Sequence, residues 1–269
     1  MMYSSDIPIG FRLAFRARFG WLAGGALFVL ALSAWLAAQF SGRQPATVAL
    51  DVGLSVMRMI LPLILVLMTQ ELISREFERR YYLNSLTYPV ARHALLLGRF
   101  FAILVLSLGL LLVMGGLLAA LVNFIGQDYA QGTPVALGLP YLTVLGFIFL
   151  DLLVLSTLAA FLAIVASTPS FVLIGTFGFM LVARSFAAII ELLTRNAFVV
   201  GDAQSYRSGI GTLGYLVPDL GALDVRMIAL YGKMEFLPSD WLWLLLCSLS
   251  YAGGLLALAV WALNSKRFV

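Results

Sequence analysis

The sequence predicts an all-α membrane protein, and three observations support that prediction. Hydrophobic residues make up 62% of the 269 residues, and the mean hydropathy is +1.01, whereas soluble domains have roughly 45–50% apolar residues. The apolar residues are concentrated in stretches of about 20 residues, the length that a helix needs to cross the hydrocarbon core of a bilayer. These stretches lack the alternation of polar and apolar residues that marks the strands of a membrane barrel. Because unpaired backbone groups in lipid are costly, helices are the expected structure.

Six such stretches predict six transmembrane helices within a single polytopic membrane domain that spans residues 1–269. Their predicted bounds are 20–40, 52–73, 99–125, 139–166, 170–194 and 240–263. The fourth and fifth spans are expected to form a hairpin, because Pro169 in the intervening Ser167-Thr168-Pro169-Ser170 is poorly suited to continue a helix.

An interfacial amphipathic helix is predicted ahead of the first span, over residues 8–19. Phe11, Phe15 and Phe19 recur every four residues, and Arg12 lies on the neighbouring stripe, as in helices that lie flat in the membrane interface. The alternative is a basic flank that only orients the first span. Both interpretations place the segment at the inner membrane surface. The first span is longer than the roughly 7–15-residue core of a signal peptide, so we expect an uncleaved anchor.

The distribution of lysine and arginine predicts that both termini are cytoplasmic. One side of the predicted membrane domain carries Arg12, Arg16, Arg18, Arg75, Arg79, Arg80, Arg92, Arg99, Lys266 and Arg267. The other side carries Arg43, Arg195, Arg207, Arg226 and Lys233. Basic residues close to helix ends are retained in the cytoplasm, so the side with more of them is the inner side.

A charged and aromatic connector, residues 74–97, separates the second and third spans and is the strongest functional signal in the chain. Only 11% of all residues are charged, yet Glu76, Glu78, Arg79 and Arg80 follow one another closely here. Mixed charges provide steering and register at an interface, and aromatic residues provide buried contact area. We expect this connector to bind a cytoplasmic partner. The alternative is a solvated basic loop that only fixes the topology.

The connector and its surroundings resemble ABC-2 type transporter permeases. The resemblance rests on an acidic and basic helix end, then Pro89-Val90-Ala91-Arg92, and then Leu97-Gly98-Arg99 at the start of the next span. It extends to an amphipathic entry helix, six spans, a long connection between the fifth and sixth spans, and a basic last turn. The sequence departs from the family pattern at two places, and these differences bear on the subfamily rather than on the family. Arg79-Arg80-Tyr81-Tyr82 stands where many members have a Gly-Thr-containing stretch, and Ala91 stands where Ser is common.

The resemblance implies a multi-pass permease of the inner (cytoplasmic) membrane that exports cargo when it is coupled to a separate cytoplasmic ABC ATPase. It also implies a second permease, either another copy of this chain or a paralogue. No cofactor is expected in the chain itself, since the partner would bind ATP and the sequence contains no G-x-x-x-x-G-K-[ST] phosphate loop. In the family, the connector contains the coupling helix that sits in a cleft of the ATPase. The matching residues here are Glu76, Glu78, Arg79, Arg80, Tyr82 and Pro89.

Other classes of function find little support in the residues. The only histidine, His93, lies in the connector, and neither an H-E-x-x-H motif nor a pair of intramembrane aspartates is present, so an enzyme is not expected. No cluster resembles a metal site. The net charge of +4 comes largely from basic residues that flank the spans, and nucleic-acid binding is not expected without a basic run or recognition motif.

Four ionisable residues are predicted to lie within the membrane spans: Arg58, Asp151, Arg184 and Glu191. Such residues commonly mark transport pathways or proton relays, so an ion- or proton-coupled secondary transporter is an alternative function, although the chain shows no internal repeat. A non-transporting membrane scaffold is another. Asp151 and Arg184 lie at similar distances from the Pro169 turn, which predicts an ion pair between them. Pairing of Arg184 or of Arg58 with Glu191 remains open.

The long connection of residues 195–239 is predicted to be extracytoplasmic. It alternates Gly and Pro with apolar patches, which include Tyr215-Leu216-Val217-Pro218 and Met227-Ile228-Ala229-Leu230-Tyr231. Such patches are poorly placed in water and favour short re-entrant or interfacial helices. These helices would cover the outer mouth, or they would form a packed cap with no gating role.

Overall fold

The computed structural model describes residues 19–74, 92–127, 135–166, 168–195 and 218–265, and within these ranges the chain is helical with no β-strand. The helices are α1 (Phe19–Phe40), α2 (Pro45–Thr69), α3 (Arg92–Gln127), α4 (Leu139–Val165), α5 (Pro169–Arg195), α6 (Met227–Tyr231) and α7 (Trp241–Ser265). A π-helical turn, Gln70–Ser74, extends α2, and a 3₁₀ turn, Met234–Phe236, lies between α6 and α7.

Five of these helices, α1 to α4 and α7, are long and apolar enough to cross a membrane. The predicted fifth span coincides with α5, where the apolar stretch that the structure describes, Pro169–Ser185, is shorter than the other five. The prediction of an all-helical membrane protein is therefore confirmed. The count of six spans, the orientation and the cytoplasmic termini remain predictions.

Two helices begin earlier than the sequence predicted. The second starts at Pro45 rather than residue 52, since a proline is well suited to the first helical position, where its missing N–H is not needed. The third starts at Arg92 rather than residue 99, because good helix formers precede Gly98. Residues 92–97, which the sequence analysis assigned to the connector, therefore form the first turns of α3.

The predicted hairpin turn has the expected position, because α4 ends at Val165 and α5 begins at Pro169. Most of the predicted interfacial helix, residues 8–18, lies outside the described residues. The same is true of the larger part of the connector, residues 75–91.

Helices α2 and α4 form the centre of the bundle. In their most apolar stretches, 61% of the residues of α2 and 72% of those of α4 are buried inside the protein, compared with 22% in α1 and α7. Helix α1 packs on α2 and α3, whereas α5 and α7 pack on α4. Because lipid tails are as apolar as leucine, hydropathy alone does not decide which helices are central, and close packing does.

Close helix approach depends on glycine at two positions. A Cβ atom at Gly53 of α2 would overlap the side chain of Leu118 in α3, which is fully buried. At the contact between α3 and α4, the Tyr141 hydroxyl donates a hydrogen bond to the Gly115 carbonyl at 2.8 Å. A Cβ atom at Gly115 would lie 2.9 Å from Leu145. Small residues thus allow the backbones to approach, as is typical of membrane helices.

The two ends of the bundle are each joined by hydrogen bonds between elements. At one end, Arg99 Nη1 donates to the Leu72 carbonyl at 2.9 Å, and Gln70 Nε2 donates to the Pro169 carbonyl at 2.6 Å. At the other end, the Ala136 amide donates to the Ala229 carbonyl at 3.0 Å. The end of α2 and the starts of α3 and α5 therefore meet at one end of the molecule, and α6 lies at the opposite end.

Candidate functional site

Charged side chains from four parts of the chain meet inside the bundle, near the middle of α2, α4 and α5. We call this group the charge cluster. Its members are Asp51 and Arg58 of α2, Asp151 of α4, Arg184 of α5, and Asp224 and Arg226 of the segment before α6.

Asp151 forms the closed centre of the charge cluster. Its side chain is only 1% exposed, and its Oδ2 atom lies 2.5 Å from Arg184 Nη2 and 3.9 Å from Arg58 Nη2. Arg184 Nη2 also donates to the backbone carbonyl of Arg58 at 3.0 Å. The predicted ion pair between Asp151 and Arg184 is therefore confirmed. A carboxylate at this depth needs such partners, because charge within a membrane span is costly unless it is paired.

Arg58 connects the centre of the cluster to the segment that precedes α6. Its Nη1 atom lies 2.6 Å from Asp224 Oδ2, and its Nη2 atom donates to the Leu220 carbonyl at 3.2 Å. Leu220 and Ile228 in this segment are fully buried. The segment thus enters the bundle as far as the middle of α2. Irregular backbone at such a depth is tolerated where protein surrounds it or where it lines a cavity.

Arg226 forms the more open edge of the cluster. Its Nη1 atom lies 2.9 Å from Asp51 Oδ1 and donates to Ser55 Oγ at 2.6 Å, while its Nη2 atom lies 3.2 Å from Asp224 Oδ2. The side chain of Arg226 is 34% exposed and that of Asp51 is 46% exposed. The cluster therefore extends from a closed centre at Asp151 to an accessible edge at Arg226.

Gly221 permits the segment before α6 to approach α5. A Cβ atom at this position would lie 2.6 Å from the backbone carbonyl oxygen of Arg184 and 3.1 Å from Asp219 Oδ1. Asp219 Oδ1 in turn accepts a hydrogen bond from the Ala222 amide at 3.1 Å, which holds the turn. Since a backbone carbonyl in a helix cannot move aside as a flexible side chain does, this contact requires glycine.

A cavity of about 280 Å³ lies against the cluster. Its lining residues are Ser55, Arg58, Met59, Arg184, Gly221, Asp224 and Arg226. Inside the cluster, Nε of Arg58 and of Arg184 and Oδ1 of Asp151 and of Asp224 are buried without a hydrogen-bond partner among the described residues. Buried polar groups normally have partners, so the hydrogen bonding of the cluster is incomplete within the described part of the chain.

The structure brings together three of the four predicted intramembrane charges, Arg58, Asp151 and Arg184. Glu191 belongs to α5, but the placement of its side chain lies outside what the structure describes, so its pairing remains open. The predicted docking residues also lie outside the described residues: Glu76, Glu78, Arg79, Arg80, Tyr82 and Pro89. Within the described ranges, no group of three or more His, Cys, Asp or Glu residues is arranged to hold a metal ion.

The sequence analysis missed Asp51, Ser55, Asp224 and Arg226 as partners in the site. Asp51 directly precedes the predicted start of the second span at residue 52, so it had the appearance of a boundary residue. Asp224 and Arg226 lie between two apolar patches of the long connection. Burial of both patches would also bury the charges between them, and this signal could have indicated that those charges need partners.

The chain matches a known family of membrane proteins. Residues 15–183 match the family described as "ABC-2 family transporter protein". The matched region includes α1 to α4 and the first part of α5, and it ends one residue before Arg184. No curated protein matches the chain.

Proposed function

Since the chain belongs to the ABC-2 family of transporter proteins, we propose that it is the permease subunit of an ATP-driven exporter that is coupled to a separate cytoplasmic ATPase. The permease moves cargo across the cytoplasmic membrane, and the partner binds and hydrolyses ATP. A second permease, either another copy or a paralogue, completes the membrane part. The family match over residues 15–183 is the observation that carries this proposal.

The sequence supports the assignment of ATP hydrolysis to a subunit other than the permease. The sequence contains no G-x-x-x-x-G-K-[ST] loop, which is the element that binds nucleotide phosphates in the usual ATPases. Its only Gly-Lys pair, Gly232-Lys233, is followed by Met234 rather than Ser or Thr. A permease of this kind therefore needs a partner for the energy-yielding step.

The helix ends support the connector as the docking element for that partner. Arg99 at the start of α3 donates to the Leu72 carbonyl at the end of α2, and Gln70 donates to the Pro169 carbonyl at the start of α5. Because these contacts tie α2, α3 and α5 together, a movement of the connector is expected to act on all three helices. Two of them, α2 and α5, contribute side chains to the charge cluster. This arrangement suits the transmission of movement from a docked ATPase.

The docking proposal is tested by the double variant Glu78→Ala with Arg80→Ala. Truncation of an interface hot spot costs about 2 kcal/mol or more, so we expect at least about a 30-fold loss of affinity between permease and ATPase. Co-purification and permease-stimulated ATP hydrolysis measure this loss without knowledge of the cargo. The control is Arg43→Ala with Glu235→Ala, which removes the same two charges from exposed positions at the other end of the bundle. Normal association of the Glu78 and Arg80 variant would refute the docking assignment.

The orientation is tested by single cysteines in a Cys247→Ala background. Ser239→Cys, at an exposed position near the start of α7, should react with an impermeant thiol reagent added outside intact cells. Ser85→Cys in the connector should react only after the membrane is permeabilised. Labelling of position 85 from outside would show that the connector is not cytoplasmic.

A second candidate function is an ion- or proton-coupled transporter, and the charge cluster is the observation that favours it. Charged residues inside a membrane bundle commonly mark such pathways. The two functions differ in their energy source. Stimulation of a partner ATPase by the permease supports the first, whereas transport that a protonophore abolishes and that needs no nucleotide supports the second.

A further inference from the structure

The cavity beside the charge cluster has a wall that favours anions. Arg58, Arg184 and Arg226 line it, and among the lining residues that the structure describes Asp224 alone carries a carboxylate. The other two carboxylates of the cluster, Asp51 and Asp151, do not line it. Ser55 adds a hydroxyl group, which is both a donor and an acceptor. Guanidinium groups bind carboxylate and phosphate oxygens with paired hydrogen bonds, so this wall has the chemistry of an oxyanion site.

Arg226 is the cluster arginine that is most easily recruited by a ligand. Its ion pair with Asp51 is partly exposed on both sides, and ion pairs that water can reach contribute little to stability. Arg226 also contacts Asp224 and Ser55, but its side chain is 34% exposed. The side chains of Arg58 and Arg184 are only 10% and 16% exposed, and Asp151, Asp224 and backbone carbonyls hold them. An incoming anion can therefore replace Asp51 as the partner of Arg226, while the ion pairs of Asp151 at the centre of the cluster stay intact.

An exposed apolar surface leads away from the cavity along two antiparallel helices. Helices α2 and α5 are joined at the Arg58 carbonyl by Arg184 and at Gln70 by the Pro169 carbonyl, so both run from the cavity to the same end of the bundle. Met59 lines the cavity and is 52% exposed.

The same faces of both helices continue with exposed apolar side chains. Leu63 lies one turn beyond Met59 on α2, and Leu181 lies one turn beyond Arg184 on α5. Residues three or four apart share a helix face. On α5 the exposed apolar side chains continue to Ile174 and Phe171, and the stretch from residue 184 to residue 171 is about 20 Å long at the rise of a helix. An apolar chain of that length has an apolar surface to lie on, and it begins at the arginines.

We propose that this cavity binds the acidic head of an amphipathic anion, a molecule with one phosphate or carboxylate group and an apolar chain. The head contacts Arg226 and Arg184 in the cavity, and the chain lies over Met59, Leu63 and Leu181. A cavity of about 280 Å³ is smaller than the roughly 300–1,000 Å³ pockets that enclose whole drug-sized ligands. It therefore has room for the head and leaves the chain on the exposed apolar surface.

The binding site has a direct consequence for the cargo of the exporter. An amphipathic anion that enters the cavity from the membrane would be the class of molecule that is moved, and this step rests on the proposed function. Binding itself does not rest on it, because the ligand contacts only this chain and needs no ATPase.

The test measures lipid binding to the full chain, purified in a non-ionic detergent without any ATPase, by native mass spectrometry. The probes are dioleoyl phosphatidylglycerol, which is anionic, and dioleoyl phosphatidylcholine, which has the same chains and a zwitterionic head. We expect the anionic lipid to bind at least about 10-fold more tightly, which is the effect of one charge-assisted interaction. Arg226→Gln should abolish the preference, and Arg226→Lys, which keeps the charge but loses the paired geometry, should retain part of it.

Two further experiments test whether the bound anion is a lipid or free phosphate, and whether the apolar surface contacts the lipid chain. Inorganic phosphate in large excess should not displace phosphatidylglycerol, since it lacks the apolar chain. Met59→Gln should weaken phosphatidylglycerol binding, because it places a polar group under the chain. The matched control is Lys233→Gln, which removes an exposed positive charge from the same connection and should leave the preference unchanged.

Several results would overturn the proposal. Equal binding of the two lipids to the unmodified chain would exclude an anion site. Displacement by inorganic phosphate would identify a site for the free anion instead. Loss of preference in Lys233→Gln equal to that in Arg226→Gln would indicate attraction by surface charge alone. If Met59→Gln dissociates a permease dimer and leaves lipid binding unchanged, the apolar surface belongs to a second copy of the chain. An unfolding midpoint that matches the unmodified chain shows that the Arg226 variants are folded.

Discussion

Removal of the Asp151 carboxylate is expected to be the most destabilising single change in the charge cluster. Asp151 is 1% exposed and compensates both Arg184 and Arg58. In Asp151→Leu, two guanidinium groups near the middle of the bundle lose their shared counter-charge. Removing one partner of a buried ion pair costs about 3–5 kcal/mol. Arg184→Met is expected to cost less, because Asp151 keeps Arg58 at 3.9 Å.

The double variant Asp151→Leu with Arg184→Met separates the ion pair from the packing. Neither charge is then left without its partner, and replacement of a buried pair by apolar residues is often neutral. We expect the double variant to be more stable than the sum of the single effects by at least about 2 kcal/mol, within the range measured for coupled neighbours. Exchange of the two charges, Asp151→Arg with Arg184→Asp, should restore less stability than the apolar double variant, because an arginine at position 151 would lie beside Arg58.

The assay is reversible unfolding in mixed micelles of non-ionic detergent and dodecyl sulfate, followed by tryptophan fluorescence. Asp51→Asn is the control, since it removes the same charge from a side chain that is 46% exposed and should cost less than about 1 kcal/mol. Additive single effects in the Asp151 and Arg184 cycle would refute the reasoning, and so would an Asp51→Asn effect as large as that of Asp151→Leu.

Three further predictions concern contacts between elements, and each is checked by the same unfolding assay. Gly221→Ala should destabilise by about 1–3 kcal/mol, because its Cβ atom would collide with a helix carbonyl of α5. Gly53→Ala should cost a similar amount, and adding Leu118→Ala should relieve part of the clash even though it removes buried side-chain volume. Tyr141→Phe should cost about 0.5–1.5 kcal/mol through loss of the hydrogen bond to the Gly115 carbonyl.

Matched substitutions at open positions serve as controls for these three predictions. Gly254→Ala in α7 has no atom within 4 Å of the new Cβ, so it should be neutral or slightly stabilising, since alanine favours helix. Thr143→Val removes an exposed hydroxyl that bonds only within its own helix and should cost less than Tyr141→Phe. A loss in Gly254→Ala as large as that in Gly221→Ala would mean that steric overlap is not the cause.

The sequence by itself determined the class of the protein and most of its spans. Hydropathy is summed over windows of about 20 residues and depends on length and composition, so it needs no knowledge of neighbours. The turn at Pro169 was likewise predictable, because the constraint of proline is local. The resemblance that rested on Pro89-Val90-Ala91-Arg92 and Leu97-Gly98-Arg99 was confirmed by the family match. The roles of the connector residues and the ATPase partner remain predictions.

The helix starts at Pro45 and Arg92 show where local reasoning lost accuracy. The apolar windows indicated where the chain crosses the membrane, but a helix continues past the apolar stretch as long as its residues favour helix and its backbone groups are paired. The predicted starts at residues 52 and 99 therefore marked where each apolar stretch begins rather than where each helix begins.

Only the tertiary structure decided which charges share a site. Similar distances from the Pro169 turn predicted the pair of Asp151 and Arg184, because a hairpin fixes depth along the helix axis. The rotation of each helix and the path of the segment before α6 have no such local signal. Arg226 contacts Asp51 across 175 residues of sequence, and Arg58 reaches the Leu220 carbonyl across 162. Contacts at such separations depend on how buried helices pack, and packing is set by the shapes of many side chains at once rather than by any stretch of sequence.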